Sequence, residues 1–276
     1  MAEHSEPGGR VEDGRRQSDY VQSLERGLAV LRAFGPERSA LTLSDVARIT
    51  GLTRAAARRF LLTLVELGYV HHYDRLFSLS PRVLELGNSY LSGLGLTDIA
   101  VPHMQELVAS VQEASSIAVL DDTDIVYVVR VPTKRIMTVS ITVGTRYPAY
   151  STSMGRVLLA ALSSTTLDAY LDKVVLEPLT PRTITDKARL RQVIVETRAR
   201  GYCMVDQELE EGLRSVAVPI ADARSLTMAA VNLSAHSSRV SLETLRTEYL
   251  EKLQATAAQI HADLRTLGRA DRITVR

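Results

Sequence analysis

The stretch from Thr42 to Gly68 constrains the fold of this chain more than any other segment. It has the pattern of two short helices joined by a tight turn. Thr42 and Asp45 form a capping-box start, apolar residues follow at helical spacing, and Gly51 supplies a stop. Thr53 is placed to cap the second helix. The stretch therefore predicts a helix-turn-helix.

The predicted second helix separates apolar residues from basic ones. Its packing face is predicted to consist of Ala56, Ala57, Phe60, Leu61, Leu64 and Leu67. Arg54 lies in the first turn, and the opposite face carries Ala55, Arg58 and Arg59. Small Ala55 lets the helix approach a surface, while arginine bonds to phosphate oxygens or pairs with a guanine edge. This pattern favours a helix in a DNA major groove, although an isolated arginine-rich helix is more often a solvated face.

The residues after this helix shift the balance toward DNA. Tyr69–Tyr73 and Leu76–Leu79 alternate like the strands of a hairpin around a two-residue turn. Helix, turn, helix and hairpin together predict a winged helix-turn-helix with double-stranded operator DNA as its partner. The net charge is only +1, but four arginines and no acid lie between Arg48 and Arg59. The candidate DNA-binding residues are Thr42, Ser44, Thr53, Arg54, Ala55, Arg58, Arg59 and Arg75.

Length and composition indicate two globular domains. The chain has 276 residues, 45% of them hydrophobic, which suffices for a core in each domain. The single cysteine, Cys203, excludes an intramolecular disulfide and a cysteine-built zinc finger, and fits a reducing cytoplasm. No apolar run approaches the roughly 20 residues of a membrane helix, and the start lacks the apolar core of a signal peptide. We expect a cytoplasmic protein with no membrane contact.

The flanking patterns set the predicted domain boundaries. Ser23 is placed to cap a first helix whose leucines and Phe34 pack under the second helix of the motif. Ser80-Pro81 starts a helical connector, which acts either as a spacer or as a transmitter of rotation. We expect a disordered arm (1–18), a DNA-binding domain (19–81), a linker helix (82–96) and an effector domain (97–270).

The remainder predicts an α/β domain with mostly antiparallel strands and helices on both faces, so the whole chain is α+β. The predicted strands are Ile117–Leu120, Ile125–Val131, Ile136–Val143, Tyr202–Asp206, Arg214–Ile220 and Thr227–Ser234. The predicted helices are Ile99–Val111, Thr165–Leu171, Thr185–Arg200 and Leu242–Leu267.

A polar loop of small residues, 144–153, runs into an apolar helix at Met154. Its backbone N–H groups and the positive end of the helix dipole make it a candidate seat for a carboxylate ligand, with an ordinary helix cap as the alternative. If the loop binds a carboxylate, Gly155→Leu is expected to fill its concavity and abolish ligand binding at little cost to the stability of the fold.

The sequence contains no pattern of an enzyme or of a bound cofactor. Ser151 and Ser153 lack a nucleophile elbow, and there is no phosphate-binding glycine loop. His71 and His72 are adjacent on a strand, so they point to opposite faces and cannot share a metal. The aspartates from Asp121 to Asp124 lack the spacing of a calcium loop and predict a hairpin turn. We expect no catalysis, no cofactor and no metal.

Several segments resemble the IclR-type transcriptional regulators, over nearly the whole chain. The resemblance is carried in the N-terminal part by 22–31, 53–64 and 67–70. Longer segments look like the branch that controls protocatechuate, 4-hydroxybenzoate and β-ketoadipate catabolism: 130–132, 135–137, 143–150, 152–160 and 205–216. The family includes both activators and repressors.

The resemblance implies a winged helix, a linker helix and a GAF-like effector domain, assembled as a homodimer or homotetramer. It implies a small carboxylic acid as effector (protocatechuate, 4-hydroxybenzoate or β-ketoadipate), with RNA polymerase as a further candidate partner. Carried over by position, the effector-binding residues are Ser153, Met154, Gly155, Arg156, Asp206, Ser215, Asn232 and Ser234. Ser215 and Asn232 depart from members that bind small keto acids, so ligand shape does not carry over.

Two functions remain in competition at this point. The first is a DNA-binding regulator of aromatic-acid catabolic genes under the control of a small acid. The second is a GAF-like ligand-binding or enzymatic domain whose winged helix serves protein contact.

Overall fold

The computed structural model of the protein describes residues 20–133, 141–222 and 224–270. Contacts divide the chain into two compact units, Met1–Tyr90 and Leu91–Arg276. The predicted N-terminal arm and most of the predicted strand Ile136–Val143 lie outside the described residues. In the described ranges, none of the helices combines the length and apolarity needed to cross a membrane.

The first unit is a winged helix-turn-helix, as predicted. Its elements are α1 (Gln22–Arg32), β1 (Ala40–Thr42), α2 (Leu43–Thr50), α3 (Arg54–Glu66), β2 (Val70–Tyr73) and β3 (Leu76–Leu79). The strands form an antiparallel sheet in the order β1-β3-β2. Strand β1 was not predicted, because three residues are too few to show an alternating pattern.

Local capping sets the geometry of the helix-turn-helix. Thr42 caps α2 by accepting the Asp45 N–H, and the Asp45 carboxylate accepts the Thr42 N–H, which completes the predicted capping box. Gly51 ends α2 in the left-handed conformation, with φ of 67°. Thr53 then accepts the Ala56 N–H and starts α3. These caps confirm the two helix starts and the turn predicted from sequence.

The packing of α1 differs from the prediction. Val30 is its buried residue, and Ala33 and Phe34 are buried just past its end at Arg32. Phe34 thus packs as predicted and Leu31 is partly buried against the core, whereas Leu24 and Leu28 are 62% and 48% exposed. Val30 lies more than a quarter turn away from Leu24 and Leu28 at 100° per residue. The Ser23 cap was also wrong, since the helix starts after Val21 without a side-chain cap. This leaves an apolar stripe on the surface of the first unit.

The connector begins as predicted at Ser80. The Ser80 hydroxyl accepts the Arg82 N–H and caps a 3-10 turn, Pro81–Val83, that leads into α4 (Leu84–Leu94). Gly95, with φ of 58°, separates α4 from the next helix.

The second unit contains one six-stranded sheet with helices on both faces. Its elements are α5 (Leu96–Val111), β4 (Ala114–Asp121), β5 (Asp124–Val131), β6 (Arg146–Pro148), α6 (Ser153–Ala161), α7 (Ser164–Lys173), α8 (Lys187–Arg200), β7 (Cys203–Asp206), β8 (Leu213–Ala221) and β9 (Thr227–His236). A last helix starts with Leu242–Thr244, passes through a π-helical segment, Leu245–Tyr249, and continues as α9 (Leu250–Ala270).

The sheet order is β6-β5-β4-β9-β8-β7, and each pairing in the described ranges is antiparallel. One hydrophobic core joins the sheet to α5 and α9, and a second joins its other face to α6, α7 and α8. This confirms the predicted layers. The acidic segment at Asp121 is a hairpin turn, as predicted, with Asp122 at φ of 59°. On the face that packs against α6, α7 and α8, buried polar residues of β8 and β9 interrupt the apolar core.

Candidate functional site

The exposed face of α3 is the basic surface of the first unit. Arg54, Arg58 and Arg59 are exposed, together with Ala55, while Ala57, Leu61 and Leu64 are buried. None of the three arginines forms an ion pair with a carboxylate in the described ranges, so their guanidinium groups are free to bind phosphate or a base edge. The predicted faces are correct, except that Leu67 is 51% exposed and follows the helix.

The other candidate DNA contacts surround this face. Ser44 is exposed in the first turn of α2, and Arg75 is exposed at the tip of the β2–β3 hairpin. Thr42 and Thr53 instead use their side-chain oxygens to cap α2 and α3. These two threonines therefore position helices.

In the second unit, four of the predicted effector residues meet at one small cavity. The cavity has a volume of about 20 Å³. Ser153 from α6, Ser215 from β8, and Asn232 and Ser234 from β9 line it, together with Tyr127, Ile141, Ser151, Thr152, Val205, Leu209 and Leu213. A space of this size holds about one water molecule. A cavity of this volume has no room for an organic acid of several carbon atoms.

The hydrogen bonds around the cavity leave several donors without an acceptor among the described residues. Asn232 Oδ1 accepts the Ser116 N–H (3.1 Å), so its Nδ2 donates to Ser234 Oγ (3.0 Å). Ser153 Oγ donates to Ser215 Oγ (2.8 Å). The hydroxyl hydrogens of Ser215 and Ser234 and the second Nδ2 hydrogen of Asn232 find no acceptor among the described residues. This end of the cavity is suited to an acceptor such as a carboxylate, phenolate or carbonyl oxygen.

Arg130 lies on the same face of the sheet, in a position that sequence reasoning did not select. It is opposite Ser116, which is in turn opposite Asn232, so Arg130 and Asn232 are two strands apart, roughly 10 Å. Its Nη1 donates to Ser116 Oγ (3.3 Å). Burial lowers the pKa of Arg130, but arginine keeps its charge in proteins. No described carboxylate pairs with this half-buried cation.

Arg130, Ser116 and Asn232 form a polar row across three strands, and Tyr127 lies beside it. Its ring is 4% exposed and packs edge-on against Tyr147 at 6.0 Å between centroids. Burial raises the pKa of Tyr127 well above the usual range, so the phenol stays neutral. Its hydroxyl, with no hydrogen-bond partner in the described ranges, can donate to a bound molecule.

Three predicted effector residues on α6 do not reach the cavity. Thr152 caps the helix by accepting the Gly155 N–H (3.0 Å), so that N–H is not available to a carboxylate. Met154 is 1% exposed inside the apolar core. A Cβ on Gly155 would lie 2.1 Å from the Ala149 carbonyl oxygen. The helix start is therefore an ordinary cap, and Gly155 allows a close backbone approach.

Arg156 has a structural partner. Its Nη1 and Nη2 pair with Glu208 at 2.7 and 2.5 Å, and its Nε donates to the Tyr150 carbonyl (2.8 Å). The side chains of Arg156 and Glu208 are 2% and 10% exposed. Glu208 also accepts the Ile184 N–H. This buried bidentate pair fixes the 207–212 loop, which brings Leu209 to the cavity wall.

Asp206 faces a different space. It pairs with Arg214 and Arg182, each at 2.5 Å, on the wall of an open groove of about 920 Å³. Burial alone would raise the pKa of Asp206, but hydrogen bonds from Arg214 and Gln207 and the two arginine charges hold it below the usual range. The carboxylate is thus neutralised outside the cavity, which removes the repulsion it would exert on an acidic ligand there.

Both units match one family. The IclR helix-turn-helix domain matches residues 23–73, and the C-terminal domain of the bacterial transcriptional regulator IclR matches residues 88–262. The chain belongs to the IclR family of transcriptional regulators. This membership confirms the predicted resemblance and supports a regulator over an enzyme.

Relatives of this IclR-family chain include regulators of aromatic-acid genes. It is 42% identical to the Pca regulon regulatory protein of Pseudomonas putida, over 92% of this chain and 88% of that protein. It is 38% identical to the p-hydroxybenzoate hydroxylase transcriptional activator of Acinetobacter baylyi, over 89% and 92%. The structure of an IclR homologue complexed with 4-hydroxybenzoate from Microbacterium hydrocarbonoxydans is similar with a TM-score of 0.79, 27% identity and coverage of 88% and 99%.

A signal for Arg130 was present in the sequence of this IclR-family member. It is the only charged residue between Ile125 and Val131, in a strand of otherwise apolar residues and Tyr127. A charge inside such a strand costs free energy unless it is paired. Arg130 is identified only when this strand pattern is combined with the order of the strands in the sheet, and the sequence does not reveal that order.

Proposed function

We propose that this IclR-family protein regulates genes of aromatic-acid catabolism and that a small carboxylic acid, bound in the second unit, controls its affinity for operator DNA. The names of the Pseudomonas and Acinetobacter relatives support the pathway. The observation that most supports an acidic effector is Arg130. It is a half-buried cation with no carboxylate partner in the described ranges, and it lies on the same face of the sheet as the donor-rich cavity.

In the proposed complex, the acid lies along the polar row of the sheet. Its carboxylate pairs with Arg130, and its far end accepts from Ser215, Asn232 and Ser234. Either a ring hydroxyl or a second carboxylate can accept hydrogen bonds from these donors, which fits 4-hydroxybenzoate, protocatechuate and β-ketoadipate. Ser153 supports the site through Ser215. The earlier candidates Met154, Gly155, Arg156 and Asp206 support the walls from outside.

Binding must open the cavity. Ligand sites commonly measure about 300 to 1,000 Å³, far above the volume of this cavity. An acid therefore favours a conformation with separated walls, and this difference in affinity between two conformations is the source of regulation.

Arg130→Met tests the effector site. It keeps an unbranched apolar stem and removes the charge, and we expect acid binding to weaken by about 2 to 5 kcal/mol, at least about 30-fold. Calorimetric titration of the full chain with 4-hydroxybenzoate, protocatechuate and β-ketoadipate provides the measurement. Arg200→Met, which removes an exposed arginine paired with Glu196, is the control and should bind like wild type. Equal affinity in the Arg130 variant would refute the site.

Arg58→Ala tests operator reading by α3. A contact to a base edge predicts a loss of about 1 to 3 kcal/mol on the operator with little change on random DNA. A duplex enriched from a random library by the wild-type protein serves as operator, and binding is measured across salt concentrations. An equal loss on both duplexes, with a flatter salt dependence, would show a phosphate contact instead.

We infer a dimer, with a dimer of dimers as the larger assembly, because one short helix reads too few base pairs to select a genomic site. The exposed stripe of Leu24 and Leu28 on α1, with Val21 just before it, is apolar enough for a second copy. Light scattering is expected to give a multiple of 30.3 kDa, and Leu24→Lys/Leu28→Lys a lower mass. A wild-type monomer with full operator affinity would contradict this.

The site of action is the cytoplasm, where the operator is. In vitro transcription with purified RNA polymerase, with and without acid, distinguishes an activator from a repressor and tests polymerase as a partner.

A further inference from the structure

The end of α3 is fastened to the start of the connector by three hydrogen bonds. The Ser80 hydroxyl donates to the Gly68 carbonyl, and the Ser80 N–H to the Tyr69 carbonyl (2.9 Å). Arg82 Nη1 donates to the Leu67 carbonyl (3.0 Å). Three successive carbonyls that follow the helix are thus satisfied by two residues of the connector, where a helix end otherwise leaves such groups to water.

Both connector residues are held in place for this contact. Ser80 is 6% exposed, and its oxygen also accepts the Arg82 N–H, which ties the cap of the 3-10 turn to the end of α3. The Arg82 guanidinium lies over the Tyr69 ring at 5.7 Å, a cation–π distance. Gly68 has a φ of 80°, and a Cβ added to it would lie 3.0 Å from Arg82 Nη1. A side chain at this position would crowd the arginine.

We propose that Ser80 and Arg82 are positioning residues for DNA binding: they clamp the end of α3 to the first turn of the connector, so that the two turn as one body. The contact joins the helix that carries Arg54, Arg58 and Arg59 to the segment that leaves the winged helix. A change in the direction of the connector therefore changes the orientation of α3. The inference rests on the proposal that α3 reads the operator.

Two other roles for Arg82 make different predictions. As a phosphate contact, Arg82 would strengthen binding to all DNA, and its loss would flatten the salt dependence by about 0.9 in the slope. As a purely local stabiliser of the turn, its loss would leave DNA binding unchanged. A clamp instead lowers operator affinity, leaves random DNA and the salt slope alone, and requires the reach of arginine Nη1 to the Leu67 carbonyl, which the shorter lysine lacks, rather than charge alone.

The test measures binding of the full chain to the enriched duplex and to random DNA across salt concentrations. The variants are Arg82→Met, which keeps the apolar stem, Arg82→Lys, which keeps the charge, Ser80→Ala and the double variant Ser80→Ala/Arg82→Met. Glu85→Ala is the matched control, because it removes only the exposed 3.6 Å pair between Arg82 and Glu85. Hydrogen exchange at the amides of residues 67–70, without DNA, provides a second readout.

We expect Arg82→Met, Arg82→Lys and Ser80→Ala each to lower operator affinity at least 10-fold with random DNA within 3-fold. The double variant should be no weaker than the worse single one, and all should speed exchange at residues 67–70. Rescue by Arg82→Lys, a parallel loss on both duplexes, or operator affinity within 2-fold of wild type would overturn the clamp. Failure of operator reading by α3 is separate, because it would show in Arg58→Ala and leave the exchange result intact.

Discussion

Replacing Glu208 with alanine is expected to lower the free energy of unfolding of the second unit by about 3 to 5 kcal/mol. The variant leaves the Arg156 guanidinium, 2% exposed, with the Tyr150 carbonyl as its remaining acceptor among the contacts seen here. A buried charge without its partner carries its full desolvation cost. Thermal unfolding measures the loss, which corresponds to roughly 6 to 20 °C in Tm for a domain of this size.

Two comparisons separate the buried pair from ordinary surface charge. Glu196→Ala removes an exposed i,i+4 pair with Arg200 and should change stability by under about 0.5 kcal/mol. The double variant Arg156→Met/Glu208→Met removes both charges and should be more stable than Glu208→Ala. A Glu208→Ala protein as stable as Glu196→Ala would mean that the pair is not buried in solution.

Any side chain at Gly155 is expected to disrupt the second unit. An added Cβ would lie 2.1 Å from the Ala149 carbonyl oxygen and 2.4 Å from its Cα, and backbone atoms of this kind cannot move aside like a side chain. Overpacking commonly costs about 1 to 3 kcal/mol, and a backbone overlap this close belongs at or above that range. We expect Gly155→Ala to lose about 3 kcal/mol or more, and Gly155→Leu to leave the unit unfolded.

Gly87→Ala is the control for this substitution. Gly87 is also a helical glycine, but nothing lies within 4 Å of an added Cβ, so alanine should stabilise α4 by about 0.5 to 1 kcal/mol. Circular dichroism melts of the three variants supply the comparison. A Gly155→Leu protein that melts like wild type would refute the close approach, and would restore the prediction from sequence that this glycine lines a surface concavity.

Local chemistry made the first unit predictable. Thr42 and Thr53 start helices through bonds to residues three positions away, and Gly51 ends one by its own left-handed conformation, so the sequence contains the necessary information. The burial of α1 was not predictable in this way. Phe34 is buried as predicted, but the leucines form a regular stripe, and only tertiary packing shows that Val30, not Leu24 or Leu28, faces the core.

The effector cavity depends on contacts between distant parts of the chain. Ser153 and Ser215, 62 positions apart, were correctly grouped because a family resemblance pointed to them. Arg130 needed the sheet order β5-β4-β9, which no local pattern reveals. Sequence does not reveal that Arg156 and Gly155 lie away from the cavity, because a polar loop before a helix looks the same whether its helix start is open or already capped by Thr152.

The most direct measurement of the central claim is operator affinity as a function of acid concentration. Fluorescence anisotropy of the labelled, enriched duplex is recorded for wild type and Arg130→Met with 4-hydroxybenzoate, protocatechuate and β-ketoadipate. At least one acid should change the wild-type operator Kd by about 5- to 150-fold, the usual range of coupling between sites. Arg130→Met should bind the operator like wild type without acid and lose the response. No response of wild type to any of the three acids, or an undiminished response in Arg130→Met, would contradict the account.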